Sequence, residues 1–230
     1  NTLYEFDKEK ARILLAEAGW KANPDSGILE RGGEPFKITF LTRAPSSDKF
    51  LVIVKEDLKD VGIELEIDRK DWAAWSKDMD EFKFDMTWAS WSGGLYKDPE
   101  PSWSSKEADK PSGYNITGYR SSEVDQLIED QKGIFDIGRR NEIARRIDQL
   151  VAEEVPYVLL WNINYTRLLY WNKFGTPDTV LDKYSDYDAA ETYWWSDLDA
   201  EADLEQAMES KEALPQKEYK IVFDDEYIAN

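Results

Sequence analysis

Between positions 90 and 115 the chain places Ser90, Trp91, Asp98, Trp103, Ser104 and Asn115. Indole faces supply flat apolar contact, while the hydroxyl, carboxylate and carboxamide groups supply hydrogen bonds. A ligand that carries both apolar and polar groups needs both, because its polar groups must be satisfied when water is removed. The same two tryptophans equally suit a packed core, so residue type alone leaves both roles open. Other chemistry is excluded more firmly. With no Cys and no His in 230 residues, the chain cannot build a thiolate nucleophile, a disulfide, a Cys/His zinc site or a Ser-His-Asp triad.

Carboxylates are abundant but poorly organised for catalysis. Pairs such as Asp98 with Glu100, or Asp197 with Asp199, can be drawn as a glycosidase acid and base, yet nothing in the sequence fixes their separation across a substrate. Asp224-Asp225-Glu226 and the acids scattered between Asp178 and Asp203 lack the alternating ligand spacing and the glycine of an EF-hand loop, and read as solvated acidic surface. Glu142 with Arg145 and Arg146 reads as ordinary pairing on a helix surface. No catalytic residue, metal site or cofactor is therefore expected. Lys and Arg number 29 against 48 Asp and Glu, a net charge of 29 − 48 = −19, which argues against nucleic acid and anionic membrane as partners. An apolar content of 41% is compatible with a packed core. No stretch approaches the run of about 18 apolar residues needed to span a membrane, and the N-terminus lacks the basic-then-apolar layout of a signal peptide.

The elements that must position these groups follow from periodicity. Asp7 caps a helix with Ala11, Leu14, Leu15 and Ala18 on one face and Gly19 at its stop. Ile28-Leu29, Arg31-Gly32-Gly33 and the alternating Phe36, Ile38 and Phe40 predict a hairpin feeding a strand that ends near Arg43. Ser46 or Ser47 opens a helix carrying Leu51, Val54, Leu58 and Val61, and Ile63, Leu65 and Ile67 alternate as a second strand, completing a βαβ unit. Trp72 to Phe82 predicts a short helix, and Phe84, Met86 and Trp88 a third strand reaching Trp91. Ser92 to Thr117, rich in Gly and Pro, reads as a long functional loop. Helices capped by Ser122 and Asp136 follow, then strands over 155–161 and 165–171, and a polar helix over 199–210 with Leu204, Ala207 and Met208 on its apolar side; the last residues read as a loosely held tail. In parallel α/β sheets ligands collect outside the carboxyl ends of strands, which puts the six residues, at and after the end of strand three, in the expected place.

Several segments in this order resemble the C-terminal lobe of the family 5 extracellular solute-binding proteins, the oligopeptide and dipeptide receptors of bacterial ABC importers. They are Tyr4 to Trp20 (YEFDKEKARILLAEAGW), Asp25 to Gly33 (DSGILERGG) and the Ile63-Glu64-Leu65 strand. Phe84 to Trp91 (FDMTWASW), Ser104 to Asp109 (SSKEAD), Asn115 to Gly118 (NITG), Val124 to Glu129 (VDQLIE) and Tyr170 to Gly175 (YWNKFG) are similar to the YejA-like branch. The resemblance implies a three-layer α/β lobe of the type II periplasmic-binding-protein kind, with a mixed sheet flanked by helices. It implies a non-enzymatic receptor that closes two lobes around an oligopeptide and delivers it to ABC permease subunits in the membrane. Residues 1–172 would then be the second lobe and 173–230 a return segment and tail toward an N-terminal lobe lying upstream of Asn1. The implied location is periplasmic or extracellular, with a lipid anchor in the full-length parent as one option. Members that bind free peptides often use an Asp in the loop after strand three for the α-ammonium; Gly93 or Gly94 stands nearest that position here, and Asp98 is the next carboxylate. Tyr193-Trp194-Trp195 would be an anchor packing between lobes. Ten tryptophans keep an oligosaccharide receptor of the same fold as the alternative, and a carbohydrate-active enzyme or a pure interaction domain as more remote ones.

Overall fold

A computed structural model describes residues 4–91, 98–163, 165, 167–177 and 188–215. These fall into two compact units, one from residues up to 158 and one from 159 onward. Gly93, Gly94 and Asp224-Asp225-Glu226 lie outside the described residues, as do the end of the tail and part of the acidic stretch beginning at Asp178.

In the first unit, helix α1 (Lys8–Glu17) starts where Asp7 accepts a hydrogen bond from the Lys10 amide at 2.9 Å. Of its expected apolar face, Ala11 and Leu15 are half-buried, whereas Leu14 and Ala18 are exposed. Strands β1 (Lys21–Ala22), β2 (Leu29–Arg31) and β3 (Glu34–Pro35) form a small antiparallel sheet, turned at Gly32-Gly33. β4 (Lys37–Thr42) leads through a 3₁₀ turn at Pro45–Ser47 into α2 (Asp48–Asp60) and β5 (Glu64–Arg69). Neither Ser46 nor Ser47 caps α2 with its side chain, because the 3₁₀ turn already supplies the first backbone bonds. Gly62 between α2 and β5 has φ +84°, and its carbonyl accepts the Leu29 amide at 2.7 Å. A Cβ there would stand 2.8 Å from Leu29 Cγ, so the hairpin docks on this turn only because the residue is glycine.

α3 (Trp72–Asp80), capped by Asp71, precedes β6 (Met86–Thr87). The expected third strand is thus shortened to two residues. β4 is central and pairs in parallel with β5 along its length, but with β6 only at Phe40 to Met86 and Leu41 to Thr87. Phe40, Leu51 and Leu65 are buried between this sheet and α2, with Ile38, Val54, Leu58, Ile67, Met86 and Trp88 packed around them.

From Asp98 onward the long loop is more ordered than its composition implies. α4 (Glu100–Trp103) and a 3₁₀ turn at Ser105–Glu107 form within it. Pro99 and Pro101 stand at the start of α4, where a missing N–H costs nothing and the fixed φ favours the turn. α5 (Ser122–Gln131) is capped by Ser121 rather than Ser122, and α6 (Ile137–Glu154) by Asp136. Val124, Ile128, Ile147 and Val151 bury themselves with Tyr119 between these two helices, in a second cluster flanked by Trp103, Leu127, Ile143 and Leu150. Arg146 pairs with Glu123 of α5 at 2.7 Å instead of with Glu142.

The second unit holds β7 (Phe174–Gly175), α7 (Asp188–Tyr193), β8 (Trp195–Ser196) and α8 (Leu198–Ser210), with β7 and β8 antiparallel. Trp194 is half-buried, edge-on to Tyr170 at 4.6 Å, while Tyr193 and Trp195 are exposed. On α8, Leu204 and Ala207 are half-buried and Met208 is exposed. Residues 155–161 and the described residues of 165–171 form no strand, contrary to their apolar alternation. Alternation creates strand propensity, but a strand exists only when its amides and carbonyls find a ladder partner, and none is present among the described residues. Leu51→Ala should cost about 2–5 kcal/mol, and Leu14→Ala less than about 0.5 kcal/mol, in urea unfolding followed by circular dichroism.

Candidate functional site

The parallel register decides what meets at the carboxyl edge of the sheet. Arg43 follows central β4, Lys70 to Trp72 follow β5, and Trp88 to Trp91 follow β6. Arg43 lies over two indoles, 4.6 Å from the Trp72 ring centroid and 5.2 Å from that of Trp75, and those rings stack at 5.3 Å. Trp72 is exposed. Arg43 has no carboxylate partner among the described residues, so the edge of its guanidinium remains available to an anion. Beside it Lys70 pairs with Asp68 at 3.1 Å and with Asp78. That hydrogen bond to Lys70 holds the Asp78 carboxyl below the usual carboxylate range, and Asp78 in turn raises the Lys70 ammonium.

Sequence reasoning missed Arg43, Trp72 and Trp75 because it searched only after the third strand. The rule that put a site there applies equally to β4 and β5, whose carboxyl ends share the same edge.

The six predicted residues divide into two groups. Ser90 and Trp91 are exposed in the segment that follows β6, with Trp91 47% exposed and its ring 6.3 Å from that of Tyr114. Asp98 is also exposed; its Oδ1 accepts from the Glu100 amide at 3.0 Å and from Gln131 Nε2 at 3.5 Å, which fastens the start of α4 to α5. The remaining three are turned inward, Ser104 and Asn115 buried and Trp103 half-buried. Asn115 is 0% exposed, and its carboxamide is fully engaged. Nδ2 donates to the carbonyls of Ser104 at 3.1 Å and Tyr119 at 2.9 Å, and Oδ1 accepts from the Tyr119 amide at 3.0 Å and Thr117 Oγ1 at 3.4 Å. Ser104 is buried. Trp103 sits edge-on to Tyr119 at 5.6 Å and to Tyr157 at 5.7 Å. Burial pushes the Tyr157 phenol up, partly offset by hydrogen bonding with Trp91.

A second tie holds the same loop. Asp125 of α5 accepts the Ser105 amide at 2.8 Å; burial raises its carboxyl, but this bond and others to Ser105 and Ser104 outweigh that and hold it below the usual range. The arrangement offers indole faces, an exposed carboxylate, a hydroxyl and a guanidinium. Among the described residues no cluster of His, Cys, Asp and Glu is suited to a metal ion.

Residues 1–113 match the model of bacterial extracellular solute-binding proteins, family 5, middle region. The oligopeptide-binding protein AppA of Bacillus subtilis is 30% identical over 200 residues, covering 84% of this chain and 35% of AppA. The uncharacterised protein YejA of Escherichia coli K12 is 27% identical over 208 residues, covering 88% of this chain and 33% of YejA. The structure of AppA in complex with a nonapeptide superposes with a TM-score of 0.61 at 32% identity, over 66% of this chain and 31% of AppA. An oligopeptide-binding protein from Thermus thermophilus complexed with a pentapeptide gives a TM-score of 0.57 at 30% identity, over 67% of this chain and 29% of its own. The chain belongs to the family 5 extracellular solute-binding proteins. Its fold is the α/β lobe of type II periplasmic binding proteins, and it spans about a third of the length of these relatives. No helix among the described residues is long and apolar enough to cross a membrane.

Because Asn115 satisfies four internal bonds, Asn115→Ala should destabilise the fold by about 2–3 kcal/mol in urea unfolding. A residue whose amide faced solvent for a ligand would cost less than about 0.5 kcal/mol in the same measurement.

Proposed function

We propose that the chain is part of the non-enzymatic solute-binding component of a bacterial ABC importer, which captures oligopeptides and delivers them to permease subunits. The observation that carries this reading is the 32% identity and shared fold with AppA, a structure that holds a nonapeptide. In this reading residues 1–172 are the second lobe of the receptor and 173–230 return toward a first lobe supplied by a longer parent chain. Its place of work is outside the cytoplasm, and no nucleic acid is a partner.

Ser90, Trp91 and Asp98 meet the ligand, while Trp103, Ser104 and Asn115 hold the loop that presents them. Asp98 pairs with a peptide ammonium, a charge-assisted contact strengthened when the lobes close and exclude water. Arg43, spread over Trp72 and Trp75, meets a ligand carboxylate at the same edge of the sheet. Closure is an equilibrium between open and closed forms, and a peptide shifts it only by as much as it binds the closed form better. One lobe alone therefore retains little affinity.

Native mass spectrometry of the gently purified parent should show a ladder of peptide masses, and Asp98→Asn should weaken free-peptide binding about tenfold or more. Hexose-spaced masses would favour a sugar receptor instead, with the tryptophans as stacking platforms. Unchanged peptide affinity in Asp98→Asn would remove the ammonium role.

A further inference from the structure

The corner between α5 and α6 carries residues that neither the packing nor the ligand site uses. Phe135 is 97% exposed and Ile137 52% exposed. Immediately beyond them, the first turn of α6 presents Arg139 and Arg140 and no acidic residue, and its last turn contains Glu153 and Glu154 and no basic one. The positive end of a helix macrodipole favours carboxylates and disfavours guanidinium groups, and the negative end does the reverse. Apart from the Asp136 cap, whose carboxylate accepts the Arg139 amide at 2.7 Å, α6 carries charges that oppose its own dipole at both ends, and helix stability does not explain the arginines.

Residues 132–146 contain five basic and two acidic side chains, a local charge of 5 − 2 = +3, in a chain whose total is −19. Lys132 is held by Glu100 and Glu129, and Arg146 by Glu123. Arg139, Arg140 and Arg145 have no ion-pair partner among the described residues. Phe135 and Arg139 are exposed and Arg140 is half-buried, and aromatic residues and arginine are the residue types enriched where proteins dock relative to the rest of the surface.

We propose that Phe135, Ile137, Arg139 and Arg140 form a docking tip for a protein surface that is acidic and offers Phe135 an apolar pocket. Resting on the receptor reading above, that surface belongs to the ABC permease. Charge complementarity favours a protein over an anionic bilayer. Screening confines a small acidic loop to the field of the tip, since the Debye length is about 8 Å at physiological salt, whereas an extended lipid plane also meets the surrounding negative surface.

The test installs a photoreactive benzophenone side chain at position 135 of the full-length receptor in its own cells, with position 53 on α2 as an exposed control. Position 135 should crosslink to an ABC permease subunit and position 53 should not. Arg139→Glu with Arg140→Glu should lower the yield about tenfold or more while raising Tm, because the double change complements the helix dipole. Crosslinks to lipid, to a second copy or to no partner, equal yields at both positions, an undiminished yield in the double variant, or a lowered Tm would each overturn the proposal. Ligand identity is read separately by mass spectrometry. A peptide-loaded receptor whose tip crosslinks nothing refutes the tip alone, and a tip that finds the permease on a receptor carrying other solutes refutes the peptide reading alone.

Discussion

The pairing of β4 on both edges is the constraint on which the rest of the first unit depends. A parallel strand needs a crossover to reach its neighbour, and α2 provides it between β4 and β5. The burial of Phe40, Leu51 and Leu65 fixes the register, since a slip of one residue would turn Phe40 and Leu65 away from the core. Once that register is set, Arg43, Trp72 and Trp91 are delivered to one edge although they are far apart in sequence. The chemistry of the edge is a consequence of packing behind it.

The described part of the loop after β6, from Asp98 on, works differently, since it has no sheet to stiffen it. Its order comes from polar groups turned inward: the Asn115 carboxamide, the Asp125 carboxylate and Asp98 each close bonds between the loop and α5 or within the loop itself. Such networks are stabilising when every member is satisfied and costly when one is removed. The described part of the loop can therefore present Asp98 in a defined position with little regular secondary structure of its own.

How much of this was legible in the sequence depends on whether the signal was local. Caps located the starts of α1, α5 and α6, and periodicity that of α2, to within a residue or so, because the cap side chain and the buried face lie in the segment itself. The inward roles of Ser104 and Asn115 were not legible, since a carboxamide that binds a ligand and one that binds its own loop look identical until the fold shows which carbonyls lie beside it. The apolar alternation at 155–171 misled for a related reason, as strand formation belongs to the pairing partner as much as to the segment. Arg43 was visible at the end of a predicted strand, but its two indole partners are contributed by α3, and only the parallel pairing with β5 brings them together.

The central claim is that the carboxyl edge of the β4, β5 and β6 sheet is the ligand-contacting surface. Amide hydrogen exchange on the full-length receptor, carrying its co-purified ligand and again after that ligand has been removed, tests it most directly. The account predicts that ligand slows exchange at residues 42–44, 70–75 and 88–91, while the amides of Asn115 and Tyr119 exchange equally in both states. Slowing confined to other parts of the chain, with these three segments unchanged, would contradict it.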